Sequence, residues 1–295
     1  MPCNLESFFD YINKRGIEQL KAFSTFEEDF EFKTQGEVLT QLKTLSTFHK
    51  RSMGYDGYIV QKLNNNIGKI FENFKVDVKR FRRDLKIIEN KDSSELNKVE
   101  EVFKIHGKEY LNRAEKVIST IEEYDYYKLI LRSMRRNEIS LYNCGMDNLR
   151  SAYIVTAPLT LGKKYEDDNS LYRYFRGNYL EFAQKETLLQ NTTEFIQVVN
   201  LDRCAYNLVE VDCYYLLNYL RKKQCDYDYK FLVNAFCYFE GLDENSEKFI
   251  LSLLSYPVDF MRWVHRYREQ RKKWSVEKYA DKFNKIIEKE VKSLI

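Results

Sequence analysis

The stretch Phe195-Ile196-Gln197-Val198-Val199-Asn200-Leu201-Asp202-Arg203-Cys204-Ala205-Tyr206, followed by Val211-Asp212-Cys213-Tyr214-Tyr215, carries the reading of the fold. Its first seven residues are rich in β-branched and aromatic side chains and read as a strand. From about residue 209 the pattern turns helical and stays so to the end, over 209–222, 228–241, 244–255, 257–272 and 275–293. Asp202 therefore falls just after a strand and Asp212 near the head of a helix. Pro257 suits the first turn of its helix.

Upstream of this stretch the β character is slight. Ile139, Leu141 and the run Ala152–Thr156 read as strands, and Glu166-Asp167-Asp168-Asn169 as a loop. Before them the chain is helical. Residues 5–22 read as a short helix, 23–36 as an extended aromatic and acidic linker, and 36–50 as a helix with Val38, Leu39, Leu42, Leu45 and Phe48 on one face. Polar loops follow around Gly54 and Asn64-Asn65-Asn66. Ile67, Ile70, Phe71, Phe74, Val78, Phe81, Leu85 and Ile88 then form one apolar stripe over about six turns. The opposite face holds Lys75, Lys79, Arg80, Arg82 and Arg83. Nucleic acid would suit that face, but Glu72, Asp77 and Asp84 suggest a solvated, balanced surface instead. Ser93 or Ser94 is expected to cap the next helix, which runs to about Tyr124, and residues 125–136 form a shorter basic one.

Composition agrees with a mostly helical chain. Among 295 residues there are 3 Pro and 10 Gly, too few for a sandwich, a propeller or a Gly-loop-rich enzyme. Apolar residues make up 44%, enough to bury a sizeable core. The net charge of +3, with 48 Lys+Arg and 45 Asp+Glu interspersed, demands no polyanionic partner globally. The N-terminus lacks the basic and apolar regions of a signal peptide, and no apolar run reaches the roughly 20 residues needed to span a bilayer. A cytoplasmic site of synthesis is expected. The six Cys show no C-x-x-C spacing and do not cluster with His49, His106 or His265, so buried reduced thiols are expected rather than a zinc site.

Reaction motifs are missing. There is no phosphate-binding Gly loop, no G-x-S-x-G and no H-E-x-x-H. His49 closes an apolar helix face and reads as a packed or capping histidine. The C-terminal block holds both tryptophans, Trp263 and Trp274. From Asp259 onward it carries 11 Lys+Arg against 6 Asp+Glu. It reads as an amphipathic helix whose cationic stems run along the surface, although RNA, a membrane surface or an acidic partner would also suit it.

Four stretches resemble the CotS-type spore-coat proteins of endospore-forming bacteria, which share the kinase-like fold of aminoglycoside and choline phosphotransferases. They are Leu45-Ser46-Thr47-Phe48-His49-Lys50-Arg51-Ser52-Met53-Gly54-Tyr55, Tyr110-Leu111-Asn112-Arg113-Ala114-Glu115-Lys116, the stretch quoted at the outset, and Ser255-Tyr256-Pro257-Val258-Asp259-Phe260 with Arg266-Tyr267 and Lys273-Trp274. The resemblance implies the helical C-lobe of a kinase-like fold, mostly α, with a small β element and a reduced or missing N-terminal β lobe. Residues 1–35 would be the reduced lobe, a short helix and linker. Residues 36–295 would be the helical domain, with an inserted or remodelled segment at about 150–195.

The resemblance also exposes departures. The family's catalytic loop, H-G-D-x-x-x-H-N, falls on Leu141–Asn148 in one register and near Arg176-Gly177-Asn178-Tyr179 in another. The base Asp becomes Asn143 or Asn178, and the metal-binding Asp becomes Asn200. An amide cannot accept a substrate proton and binds Mg²⁺ far less well than a carboxylate. Asp202 would offset one loss at most and is expected, with Asp212, to be structural. In the family the Asp at the head of this helix accepts backbone N–H groups of the catalytic loop. The expectation is a non-catalytic protein without cofactor or metal, made in the mother-cell cytoplasm and deposited on the spore coat. Its partners would be other coat proteins or itself. The alternatives are a small-molecule phosphotransferase with a rewired site and a basic helical nucleic-acid-binding domain.

Overall fold

A computed structural model describes residues 6–23, 31–57, 63–155, 192–270, 273–289 and 291–295. The chain divides into two compact units. The division does not fall at residue 35: the first unit comprises Met1–Asn65, Ser133–Leu216 and Tyr227–Leu242, and the second Asn66–Arg132, Leu217–Asp226 and Asp243–Ile295.

The first unit begins with α1 (Phe8–Asn13), capped by the Ser7 hydroxyl on the Asp10 N–H. The helix expected over 5–22 stops there because Gly16 turns the chain in the left-handed region (φ 75°). The next residues are drawn into β1 (Ile17–Gln19), which pairs in parallel with β5 (Thr192–Val198). Helix α2 (Gln35–Ser52) starts at a full capping box in which Thr34 Oγ1 accepts the Glu37 N–H and Glu37 reaches back to the Thr34 N–H. Val38, Leu42, Leu45 and Phe48 are fully buried along it.

Two three-stranded sheets complete the unit. One has the order β1-β5-β4, with β4 (Leu149–Val155) antiparallel to β5. The other has the order β2-β6-β3, from Asn64–Asn65, Ala205–Tyr206 and Ile139–Ser140. The Asn64-Asn65 loop expected from sequence is thus a short strand, made so by its pairing with β6. Residues 210–216 of α6 (Glu210–Lys222) and the whole of α7 (Tyr229–Glu240) close this unit, with α7 against α2.

The second unit is helical: α3 (Lys69–Glu89), α4 (Lys98–Glu123), the first part of α5 (Tyr126–Arg136), α8 (Glu244–Ser255), α9 (Val258–Arg268) and α10 (Val276–Glu288). Ser93 and Ser94 lie in a 3-10 turn, and the cap of α4 is Asn97, whose side chain accepts the Val99 and Glu100 N–H groups. Pro257 precedes the first turn of α9 instead of sitting in it. The core is aromatic. Phe260 meets Phe81, Phe103 and Phe283 and stacks on Tyr110 with centroids 3.9 Å apart. Tyr256 stacks on Phe74, and Trp263 on Trp274. Two of the quoted stretches meet here: Arg113 Nε donates to the Ser255 carbonyl at 2.7 Å, beside the Tyr110–Phe260 stack.

Among the described residues no helix is long and apolar enough to cross a membrane.

Candidate functional site

In the first unit, β3 leads into the loop Leu141–Asn148, and β4 follows it directly. Tyr142 has φ 66°, in the left-handed region that a bulky side chain enters at a cost. In the register of the resemblance that falls here, the pattern has glycine at this position. Here the conformation is held by other means: Asp212 Oδ1 accepts the Tyr142 N–H at 2.8 Å, and the Tyr142 hydroxyl accepts Asn207 Nδ2 at 2.9 Å. Asp212 Oδ2 accepts the Leu141 N–H at 2.6 Å. The carboxylate of a fully buried helix-head residue thus fixes the backbone at the start of the loop.

Asp212 is itself held by His49. The imidazole is fully buried, with Nε2 3.0 Å from Asp212 Oδ2 and Nδ1 2.6 Å from Glu240 Oε1. Burial alone would depress its pKa. The Glu240 and Asp212 carboxylates outweigh that and raise it from 6.5 to about 10, so the ring is an imidazolium at neutral pH. Both ring nitrogens then donate, one to each carboxylate. The residues around His49 in α2 do similar work. Lys50 donates to the Phe239 carbonyl, and Arg51 donates to the carbonyls of Gly16 at 2.8 Å and Glu194 at 2.9 Å. Burial first, and then Asp212, push the Cys144 thiol well above its ordinary pKa, so it is an inert thiol.

The other end of the loop is tied by Asn148, which is 1% exposed. Its Nδ2 donates to the Asn143 and Asn200 carbonyls, and its Oδ1 accepts the Asn200 N–H at 2.7 Å. The loop is thereby joined to the turn after β5. In that turn Asn200 Oδ1 accepts the Asp202 N–H at 2.7 Å, an Asx turn. Asn143, Asn200 and Asp202 are exposed. Asp202 bonds within this surface turn, its carboxylate taking Asn200 Nδ2 at 3.3 Å, and supports no buried element.

From α2, buried Gln41 spans the loop, its Nε2 donating to the carbonyls of Cys144 at 2.8 Å and Leu149 at 3.0 Å. Gln41→Ala leaves two buried carbonyls without this donor and should lower stability by about 2 kcal/mol, measured by urea denaturation followed by far-UV circular dichroism. A loss below a few tenths of a kcal/mol would show that the loop does not lean on α2.

The structure therefore gathers Asn143, Asn200, Asp202 and Asp212 around one loop. Asn178 lies outside the described residues, as does most of the 150–195 segment. His49, Glu240, Gln41 and Asn148 join the same site without having been singled out as members. Two of them had a sequence signal: Asn148 as the terminal amide of the loop pattern, and His49 as part of the first quoted stretch. A divalent cation with a nucleotide is what a kinase-like loop of this kind would be expected to hold. The donor set does not fit one. The site offers amides, with the oxygens of Asn148 and Asn200 already accepting N–H groups, and two exposed carboxylates, Asp147 in the loop and Asp202 in the turn after β5. Among the described residues no group of three or more His, Cys, Asp or Glu is placed to hold a metal.

The fold is similar to the kinase-like fold of a phosphotransferase. A crystal structure of an aminoglycoside phosphotransferase from Alicyclobacillus acidocaldarius is similar to this chain, with a TM-score of 0.56 at 12% identity. The match covers 88% of this chain and 64% of that one, so the chain spans about two thirds of that protein's length. At that identity the likeness concerns the fold. No protein-family model matches the chain, and no curated protein matches it in sequence.

Proposed function

We propose that this chain is a kinase-like protein without phosphoryl-transfer activity, acting as a structural or binding component of the endospore coat. One feature supports the first half: in one register of the resemblance, Asn143 in the loop after β3 and Asn200 in the turn after β5 fall where the family pattern has its base and metal-ligating carboxylates. The base must take a proton from the acceptor hydroxyl, and an amide has no basicity to do so. The metal ligand must neutralise Mg²⁺ between phosphates, and a neutral oxygen already accepting an N–H does this poorly. What remains is architecture, with the loop backbone pinned at both ends by Asp212 and Asn148. The spore-coat assignment rests on the resemblance of the four quoted stretches to CotS-type proteins. Two of those stretches supply packing in the second unit, and the Phe48-His49-Lys50-Arg51 stretch supplies bonds in the first.

The test of inactivity is a thermal-shift series with ATP or GTP and Mg²⁺. The expected result is no saturable rise in melting temperature, because a ligand that does not bind the native state does not stabilise it. A rise that saturates in the micromolar range would overturn the reading. For the coat assignment, the protein should be recovered in the coat fraction of mature spores of its source organism. Its confinement to the vegetative cytoplasm would contradict it.

A further inference from the structure

Helix α3 presents Lys79, Arg80, Arg82, Arg83 and Lys86 on the side away from its buried stripe, and all five are exposed. With Arg268 of α9 they line a groove of about 810 Å³ in the second unit. The sequence suggests that Glu72, Asp77 and Asp84 balance this face, and in the structure they offset only part of its charge. Glu72 pairs with Lys75 at 3.0 Å, and Asp84 with Arg268 at 2.8 Å. Asp77 is partly buried; burial pushes its carboxyl upward, while His265 and Arg80 pull it back down. Two further acids are also engaged, Glu115 with Arg82 at 2.8 Å and Glu269 with His265 at 3.3 Å. Lys79, Arg80, Arg83 and Lys86 are left with no carboxylate within 4 Å among the described residues. They lie on one side of two turns, about 10 Å along the axis.

We propose that this groove binds a linear phosphate chain, either a nucleic-acid backbone or inorganic polyphosphate. Four cations crowded along one helix face repel one another, and a polyanion relieves that repulsion while releasing its own counterions. Guanidinium forks match phosphate oxygens in pairs, which favours phosphate over scattered carboxylates. No Phe, Tyr or Trp lines the groove, and its one imidazole, His265, faces Glu269 at 3.3 Å, so base stacking contributes little and binding is expected to be independent of sequence. The inference does not depend on the proposed function, since the groove shares no residue with the loop of the first unit.

The probe is a fluorescently labelled oligo-uridylate 20-mer, titrated with the full chain and followed by anisotropy between 50 and 200 mM salt. With four contacts, log K should fall against log salt with a slope of about −3, a loss of about 50-fold over that range. The triple variant Lys79→Ala/Arg83→Ala/Lys86→Ala should reduce the slope to about −1 with its circular dichroism unchanged, since the three side chains are exposed. A control variant, Lys108→Ala/Lys116→Ala/Lys230→Ala, removes three exposed lysines outside the groove and should keep the parent slope. Competition distinguishes the sources: unlabelled polyphosphate displacing the probe more tightly than oligo-uridylate does marks polyphosphate, and the reverse order marks nucleic acid. The proposal is overturned by no saturable binding at 50 mM salt, by equal losses in the two variants, or by polyglutamate competing as well as the phosphate chains. The last outcome would make the groove a site for acidic protein segments.

Discussion

Asp212→Ala should lower the unfolding free energy by about 3–5 kcal/mol and abolish hydrogen-exchange protection in a peptide covering residues 139–149. Three donors lose this acceptor together: the Leu141 and Tyr142 N–H groups and the His49 imidazolium, which keeps only Glu240. Removing one partner of a buried charged pair is costly because the other charge stays behind in a medium that solvates it poorly. Two orphaned backbone donors add to that. Tyr142 loses the contact that offsets its left-handed backbone, so the loop should open first, ahead of global unfolding. Asn200→Ala is the comparison. It removes one side-chain acceptor in an exposed turn and should cost about 1 kcal/mol or less. Similar small effects in the two variants would show that the loop is not anchored through Asp212.

Substituting His49 should give a loss of the same order with a distinctive pH dependence. The folded-state pKa of about 10 lies above the ordinary 6.5, so the native state holds a proton that the unfolded chain releases. The resulting stabilisation is fully present below about pH 6.5 and is lost as pH rises through about 10. His49→Gln leaves Asp212 and Glu240 facing a neutral amide in the interior. The expected loss is about 3–5 kcal/mol at pH 6, and the gap between parent and variant should narrow towards pH 10. Urea denaturation at pH 6, 8 and 9.5 reads the gap. Parallel stability curves would mean that the buried ring is not charged.

Much of the helical architecture was legible because it is written locally. The apolar stripe from Phe71 to Ile88 sets α3 without help from elsewhere, and α8 and α6 follow their sequence periods closely. The short strands were not legible. Ile17–Gln19 and Asn64–Asn65 have no β signal of their own; each is a strand because a partner about 180 or 140 residues further along the chain supplies the ladder. The same distance hides His49. A lone histidine on an apolar face carries no mark of the two carboxylates it will meet, and Asp212 and Glu240 lie 163 and 191 residues away. The resemblance left the loop two registers, and Leu141–Asn148 is the one that lies among the described residues. There the backbone is left-handed at Tyr142, and Asn148 bonds across to Asn200. Neither feature shows in a single sequence, because tyrosine gives no hint of positive φ and asparagine is common in any loop.

Charge showed the opposite limit. Counting acids and bases along α3 suggested neutrality, but ion pairing is decided in three dimensions. Arg268 from α9 pairs with Asp84, and Glu115 from α4 pairs with Arg82, while Lys79, Arg80, Arg83 and Lys86 make no ion pair within 4 Å among the described residues. Sequence proximity of opposite charges is therefore a poor guide to a surface potential wherever a second helix can reach the same carboxylates.

The central claim is that a kinase-like loop has kept its architecture and lost its chemistry. Isothermal titration of the full chain with ATP in the presence of Mg²⁺, with released and transferred phosphate measured on the same samples, tests it most directly. Amides at positions 143, 148 and 200 should give no saturable binding heat in the micromolar range and no phosphate transfer above the rate without protein. A micromolar binding isotherm, or transfer to water or to any added acceptor, would contradict the account.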